Sequence, residues 1–72
     1  MEIILTRHAE LRMKTRNVSL EMVKDALKNP DIIQTGYKNR NIAYKIFKSR
    51  KLKVVYVQEE GKNIIITAMW EE

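Results

Sequence analysis

With 72 residues, 14 Lys or Arg, 9 Asp or Glu and no cysteine, the chain carries a formal net charge of +5. This length fits a single domain over residues 1–72, and the lack of thiols excludes disulfides and the usual zinc sets. No apolar run approaches the roughly 20 residues of a membrane-spanning helix, and no signal peptide is expected at the start. We therefore expect a cytoplasmic protein without membrane, metal or cofactor. Its basic charge favours RNA, DNA or an acidic protein as partner.

The first predicted elements are a short β-prone run over residues 1–5 and a helix that follows it. Thr6 is a candidate N-cap, because its hydroxyl can accept hydrogen bonds from the free N–H groups of the first helical turn. The helix should end near Arg16, where Asn17 can adopt the left-handed conformation that often closes a helix.

A second helix is predicted from Leu20 to about Lys28. Ser19 is its candidate N-cap, and Leu20, Val23 and Leu27 follow at the spacing of an ordinary core stripe. Asn29-Pro30 should end this helix, because the residue before a proline is pushed out of the helical region.

From Asp31 onward the pattern changes to strands, which we expect at residues 32–35, 41–47, 52–59 and 63–70. The last two strands should form a hairpin through Glu60-Gly61-Lys62. Residues 54–57 and 64–66 are apolar without alternation, so these strands should be central, with both faces covered. The predicted order is β-α-α-β-β-β-β, an α+β fold with two N-terminal helices packed on a small antiparallel sheet.

The first helix carries the candidate chemistry. His8, Arg12 and Arg16 recur at four-residue spacing, which places the only histidine and two arginines within about 80° on one side of the helix. Ala9 and Met13 continue the same arc, so the helix should pack at the edge of the core with its polar residues facing a cleft. Histidine changes protonation near neutral pH, and arginine offers paired donors to phosphate oxygens.

These residue types match the needs of RNA cleavage without a metal: an acid, a base, and cations for the charged transition state. We interpret His8 as the acid or base, and Arg12 and Arg16 as the residues on the scissile phosphate. Candidates for substrate binding are strand residues that could face the same cleft or stack on an unpaired base: Tyr44, Lys45, Tyr56 and Trp70.

Each of these residues also has a structural interpretation. His8 could be a hydrogen-bonded structural histidine, and Trp70 could close the core. The two arginines could pair with acidic residues such as Asp31, Glu71 or Glu72. The tyrosines could be core residues with a hydroxyl at the rim, and the basic residues 48–53 could form a solvated turn.

Several stretches carry a family resemblance: His8-Ala9-x-x-Arg12-Met13-x-x-Arg16, Val18-Ser19, Asn29-Pro30, Tyr44, and residues 52–56 and 65–70. In this order and spacing they resemble a family of small prokaryotic proteins described only as a domain of unknown function. That family is similar in layout to the RelE/ParE and BrnT toxins of toxin–antitoxin pairs, whose fold is two helices on a small curved antiparallel sheet. The resemblance implies a RelE/ParE-like fold and a toxin-type endoribonuclease of the mRNA interferase class.

Two other functions remain open. The first is a non-catalytic module of the same fold that binds nucleic acid through its basic face. The second is a protein-interaction domain whose partner, for instance an acidic antitoxin, covers the cleft. A homodimer also remains open, because a domain of this size buries only about 60% of its unfolded surface and gains stability by association.

Overall fold

A computed structural model describes residues 2–71. Its elements follow the predicted order: β1 (Glu2–Leu5), α1 (Arg7–Arg16), α2 (Leu20–Lys28), β2 (Ile32–Thr35), β3 (Asn41–Phe47), β4 (Arg50–Glu59) and β5 (Lys62–Glu71). A short turn, Tyr37–Asn39, connects β2 to β3. The α+β class and the element order predicted from the sequence are confirmed. Among the described residues, no helix is long and apolar enough to cross a bilayer.

Both helices begin and end where their capping residues predict. The Thr6 hydroxyl accepts a hydrogen bond of 3.1 Å from the backbone N–H of Ala9, and the Ser19 hydroxyl accepts one of 3.1 Å from Met22. Asn17 closes α1 in the left-handed conformation, with φ 57°. The side chains of these caps satisfy N–H groups that the first turn of a helix leaves without a partner.

The five strands form one sheet in the order β1-β5-β4-β3-β2. Strands β2 to β5 pair antiparallel, as predicted, but β1 pairs parallel to β5, with Ile4 opposite Ile64. The prediction of an antiparallel sheet is therefore wrong for β1. Only a hairpin forces neighbouring strands to run in opposite directions, and β1 and β5 are joined by the rest of the chain instead.

Two tight hairpins link the last three strands. Phe47 pairs with Arg50 across the two-residue turn Lys48-Ser49, so β4 begins two residues earlier than predicted. In the second turn, Glu60 and Gly61 both have positive φ, at 47° and 75°, as a type I′ turn requires. The predicted hairpin is confirmed, although Lys62 is already part of β5.

Both helices pack on one face of the sheet, α1 against β5 and β1, and α2 against β3 and β4. The register of β4 and β5 shifts between Val55 and Tyr56, where β5 has one extra residue. This bulge lets Ile65 and Ala68 both face the helices and become fully buried. Apart from Tyr44 on the opposite face, the buried apolar side chains form one core: Ala9, Met13, Val18, Val23, Ala26, Ala43, Leu52, Val54, Tyr56, Ile65 and Ala68.

The opposite face of the sheet, here called the open face, is also apolar, but no helix of residues 2–71 lies over it. Ile42, Val55, Ile64 and Met69 are half-buried on this face, and Ile46 is 51% exposed. Strands β4 and β5 lie inside the sheet as predicted, but the expectation that both their faces are covered is wrong for this part of the chain. Two short consecutive helices cover one face only, and the apolar side chains of the open face shield one another.

Candidate nucleic-acid interface

Helix α1 is attached to β5 at both ends. At its start, the Thr6 hydroxyl donates to the carbonyl oxygen of Ile65 at 2.8 Å. At its end, the Trp70 indole Nε1–H donates to the carbonyl oxygen of Arg16 at 2.9 Å. Between these two anchors Ala9 is fully buried, as the arc read from the sequence predicts. These contacts therefore fix the position of α1 on the sheet, and with it the positions of its outward side chains.

The three predicted catalytic side chains lie on the side of α1 that the core leaves free. His8 and Arg16 are exposed, and Arg12 is half-buried. The hydrogen bonds at the two arginines involve their backbone carbonyls, which accept from Thr15 and Trp70. Within residues 2–71, none of the three side chains forms an ion pair. The imidazole and both guanidinium groups are thus available to an external anion.

The acidic residues that could have neutralised these arginines have other partners. Glu71 lies 3.5 Å from the Lys51 ammonium and 4.0 Å from that of Lys53. The Asp31 carboxylate accepts a hydrogen bond of 2.8 Å from the backbone N–H of Ile46. The third acid considered from the sequence, Glu72, lies outside the described residues. Neither Asp31 nor Glu71 therefore neutralises the cations of α1.

Another arginine, Arg50, lies beside the C-terminal end of α1. Its guanidinium carbon is 4.2 Å from the centroid of the Trp70 ring, and that indole is the group bonded to the Arg16 carbonyl. The sequence pattern predicts a solvated basic turn at Arg50 and does not indicate this contact. The usable signal was the hairpin register, because a two-residue turn pairs Phe47 with Arg50 and brings Arg50 to the helix-covered face. We call His8, Arg12, Arg16 and Arg50 the α1 basic surface.

Of the four residues predicted to bind substrate, Trp70 lies nearest to the α1 basic surface. Its ring is half-buried and packs edge-on against Phe47, with 6.3 Å between ring centroids and 87° between planes. It therefore closes the core at this end of the sheet, which is the structural role considered from the sequence.

The other three predicted substrate-binding residues are dispersed. Tyr56 is buried in the core, and this burial raises the pKa of its phenol above the ordinary value of 10.0. The Lys45 ammonium donates to the carbonyl oxygen of Asn29 at 2.8 Å, at the end of α2. Tyr44 lies on the open face, with the Lys51 ammonium 5.1 Å from its ring centroid. These contacts give each of the three residues a structural role. Binding of substrate by any of them remains a prediction.

No group of three or more His, Asp or Glu side chains within residues 2–71 is placed to hold a metal ion.

A family model described as a domain of unknown function, DUF4258, matches residues 5–70. The match covers both helices and nearly the whole sheet. It confirms the resemblance to an uncharacterised domain family. No curated protein and no solved structure matches the chain.

Proposed function

The chain belongs to the DUF4258 family, and we propose that this member acts on RNA through the α1 basic surface. The observation that carries the proposal is the placement of His8, Arg12 and Arg16 on one side of α1, where none of the three forms an ion pair within residues 2–71. Cations left free on a fixed helix are suited to bind phosphate oxygens.

Electrostatics supports RNA as the ligand of this surface. The chain has a formal charge of +5, and arginine binds phosphate through two parallel N–H donors. Each phosphate contact releases condensed counterions, so a small set of aligned cations gives an affinity that depends on salt. A half-buried Trp70 ring beside Arg50 adds an aromatic group at one end of the surface.

The finer proposal is a toxin-type, metal-independent endoribonuclease with a RelE/ParE-like fold. In this reaction a base removes the proton of a ribose 2′-OH, and that oxygen attacks the adjacent phosphorus. The P–O5′ bond breaks, an acid protonates the leaving 5′ oxygen, and a 2′,3′-cyclic phosphate remains. His8 acts as the base or the acid, and Arg12 and Arg16 stabilise the extra negative charge of the transition state.

A non-catalytic RNA-binding module is the second candidate, and one observation favours it. Catalytic histidines are usually oriented by a carboxylate or another hydrogen-bonding group. Within residues 2–71, no carboxylate lies within 4.0 Å of the His8 ring. In this alternative the α1 basic surface holds RNA, or an acidic protein partner, without turnover.

Turnover separates the two candidates. The assay follows a labelled single-stranded RNA with the wild-type protein and with folded His8→Ala and Arg12→Ala variants, with and without ribosomes. Lys14→Ala is the matched control, because Lys14 is an exposed cation on the opposite side of the same helix. The enzyme proposal expects a 2′,3′-cyclic phosphate product and a loss of rate of about a hundredfold or more in both site variants.

In the same assay, Lys14→Ala should cleave at the wild-type rate. No cleavage under either condition, or cleavage by His8→Ala at the wild-type rate, would remove the catalytic assignment. Binding of the RNA without cleavage, weakened in Arg12→Ala but not in Lys14→Ala, would establish the non-catalytic alternative.

A further inference from the structure

A pocket of about 360 Å³ lies on the open face of the sheet, away from helix α1. It lies between the turn Tyr37–Asn39 and the strands β3 and β4, and its lining residues are Gly36, Tyr37, Lys38, Arg40, Ile42 and Val55. The neighbours of Ile42 and Val55 along their strands, Ala43 and Val54, are fully buried on the helix-covered face. Because strand residues alternate between faces, the pocket opens on the side opposite to α1.

The pocket combines an apolar floor with an aromatic ring and two cations. Ile42 and Val55 are half-buried and form the floor. Tyr37 is 83% exposed, so its side chain contributes little to the core. The Lys38 ammonium lies 5.7 Å from the centroid of that ring. Within residues 2–71, neither Lys38 nor Arg40 forms an ion pair.

The backbone of the turn holds these groups together. Lys38 and Asn39 are consecutive non-glycine residues in the left-handed region, with φ values of 58° and 61°. The Arg40 N–H bonds to the carbonyl of Tyr37, and the Gly36 N–H bonds to the carbonyl of Arg40. Left-handed residues of this kind persist where the surrounding structure enforces them, often at ligand sites.

We propose that this pocket binds a nucleotide, with its base on the Tyr37 ring and its phosphate on Lys38 and Arg40. Inorganic phosphate alone would leave the ring and the apolar floor unused, and an uncharged aromatic ligand would leave the two cations unused. A ligand with a flat ring and a phosphate uses all of them. The proposal goes beyond the function of the α1 basic surface and shares no residue with it.

The nucleotide is either a free molecule or one residue of an RNA strand, and both have the same base and phosphate. The test uses the ¹⁵N-labelled protein and follows its backbone amide resonances. The probes are adenosine 5′-monophosphate, adenosine, inorganic phosphate and a short single-stranded adenosine oligomer. We expect the monophosphate to shift the amides of residues 36–42 and of Val55 in a saturable way, with tighter binding there than at any amides of α1 that also shift.

The same titration separates the parts of the ligand. Adenosine and inorganic phosphate should each bind about tenfold more weakly than the monophosphate, since each lacks one of the two contacts. If the oligomer binds about tenfold more tightly than the monophosphate at the same amides, the pocket is an RNA subsite. If the oligomer and the monophosphate bind with equal affinity per site, the ligand is a free nucleotide.

Variants test the assigned contacts. Tyr37→Ala and Lys38→Gln should each weaken monophosphate binding by about tenfold, and both replace exposed side chains. Lys48→Gln is the matched control, because Lys48 is also exposed, has φ 61°, and lies in the turn at the other end of β3. In Arg12→Ala the monophosphate should still shift the amides of residues 36–42 with wild-type affinity, because Arg12 does not line the pocket.

Three results would overturn the proposal: no saturable shift at residues 36–42, shifts confined to α1, or wild-type affinity in Tyr37→Ala. An equal loss in Lys38→Gln and Lys48→Gln would also contradict it, because the effect would then report net charge alone.

Discussion

The indole Nε1–H of Trp70 donates a hydrogen bond of 2.9 Å to the backbone carbonyl of Arg16, 54 residues earlier in the chain. That carbonyl lies in the last turn of α1, where the helix itself provides no N–H partner. The bond therefore satisfies a free acceptor and ties the end of α1 to β5. It also places Trp70 and its stacked neighbour Arg50 beside the α1 basic surface.

Replacing Trp70 with Phe tests this attachment. The phenyl ring can still contact Phe47, but the hydrogen bond is lost and the stacking with Arg50 is weakened. The expected cost in unfolding free energy is about 1–3 kcal/mol. Urea unfolding followed by far-ultraviolet circular dichroism measures it, since the variant has no tryptophan fluorescence.

Arg50→Gln is the control for Trp70→Phe, because it removes the cation and keeps the hydrogen bond. It should cost less than about 1 kcal/mol. If the two variants are equally stable, the bond between Trp70 and Arg16 does not stabilise the fold.

Thr6 both caps α1 and bonds to β5, so its substitution by alanine should lower the unfolding free energy more than the same substitution at Ser19. Its hydroxyl caps α1 and also donates to the Ile65 carbonyl, whereas the Ser19 hydroxyl accepts from the Met22 N–H alone. Thr6→Ala should cost about 2 kcal/mol of unfolding free energy, and Ser19→Ala about 1 kcal/mol. Chemical denaturation of both variants measures the difference.

The Thr6→Ser variant keeps the hydroxyl and should retain most of the stability lost in Thr6→Ala. Equal costs for Thr6→Ala and Ser19→Ala would show that the bond to Ile65 contributes nothing beyond capping.

The raised pKa of Tyr56 predicts loss of stability in alkali. The unfolded chain releases this proton near the ordinary value of 10.0, while burial makes the folded chain hold it to higher pH. Above pH 10 the unfolded state binds fewer protons than the folded state, so the unfolding free energy falls as pH rises. Below pH 10 the contribution of the Tyr56 phenol to the unfolding free energy is fully present.

Tyr56→Phe removes the proton and should show a smaller loss of stability than the wild type between about pH 9 and 11. The measurement is the thermal midpoint of unfolding across this range. Tyr37→Phe is the matched control for loss of a phenol, because Tyr37 is 83% exposed. Parallel curves for Tyr56→Phe and the wild type would contradict the linkage.

The helices and hairpins could be predicted because their signals are local. Thr6, Ser19 and Asn17 act within one helical turn of their own position, and Glu60-Gly61 needs only its own backbone conformation. Proline after Asn29 ends α2 in the same local way. The element order followed directly from these short-range rules.

The features that were missed depend on contacts between distant segments. The parallel pairing of β1 with β5 joins the two ends of the chain, and no local pattern encodes it. The open face of β4 is as apolar as its helix-covered face. The continuous apolar sequence of residues 54–57 therefore does not indicate which face the helices leave uncovered.

The candidate site was predicted in part for the same reason. The spacing of His8, Arg12 and Arg16 along one helix places them on one surface without reference to the sheet. The position of Arg50 depends on the strand register, and that of Tyr37 depends on the conformation of a turn. The sequence pattern does not determine either feature.

An RNA-binding surface on α1 is tested most directly by the salt dependence of RNA affinity, measured by fluorescence anisotropy with a labelled single-stranded RNA. The Arg12→Gln/Arg16→Gln double variant is compared with Lys14→Gln/Lys28→Gln. Both doubles lose two charges, and both lysines are exposed and lie outside the α1 basic surface. Circular dichroism checks that each variant is folded.

We predict that the arginine double variant lowers affinity by about tenfold or more at low salt. It should also reduce the slope of log affinity against log salt by about 1.4, for two lost phosphate contacts on a single strand. The lysine double variant should stay close to the wild type in both quantities. Equal losses in the two double variants, or an unchanged slope in the arginine variant, would contradict an RNA-binding surface on α1.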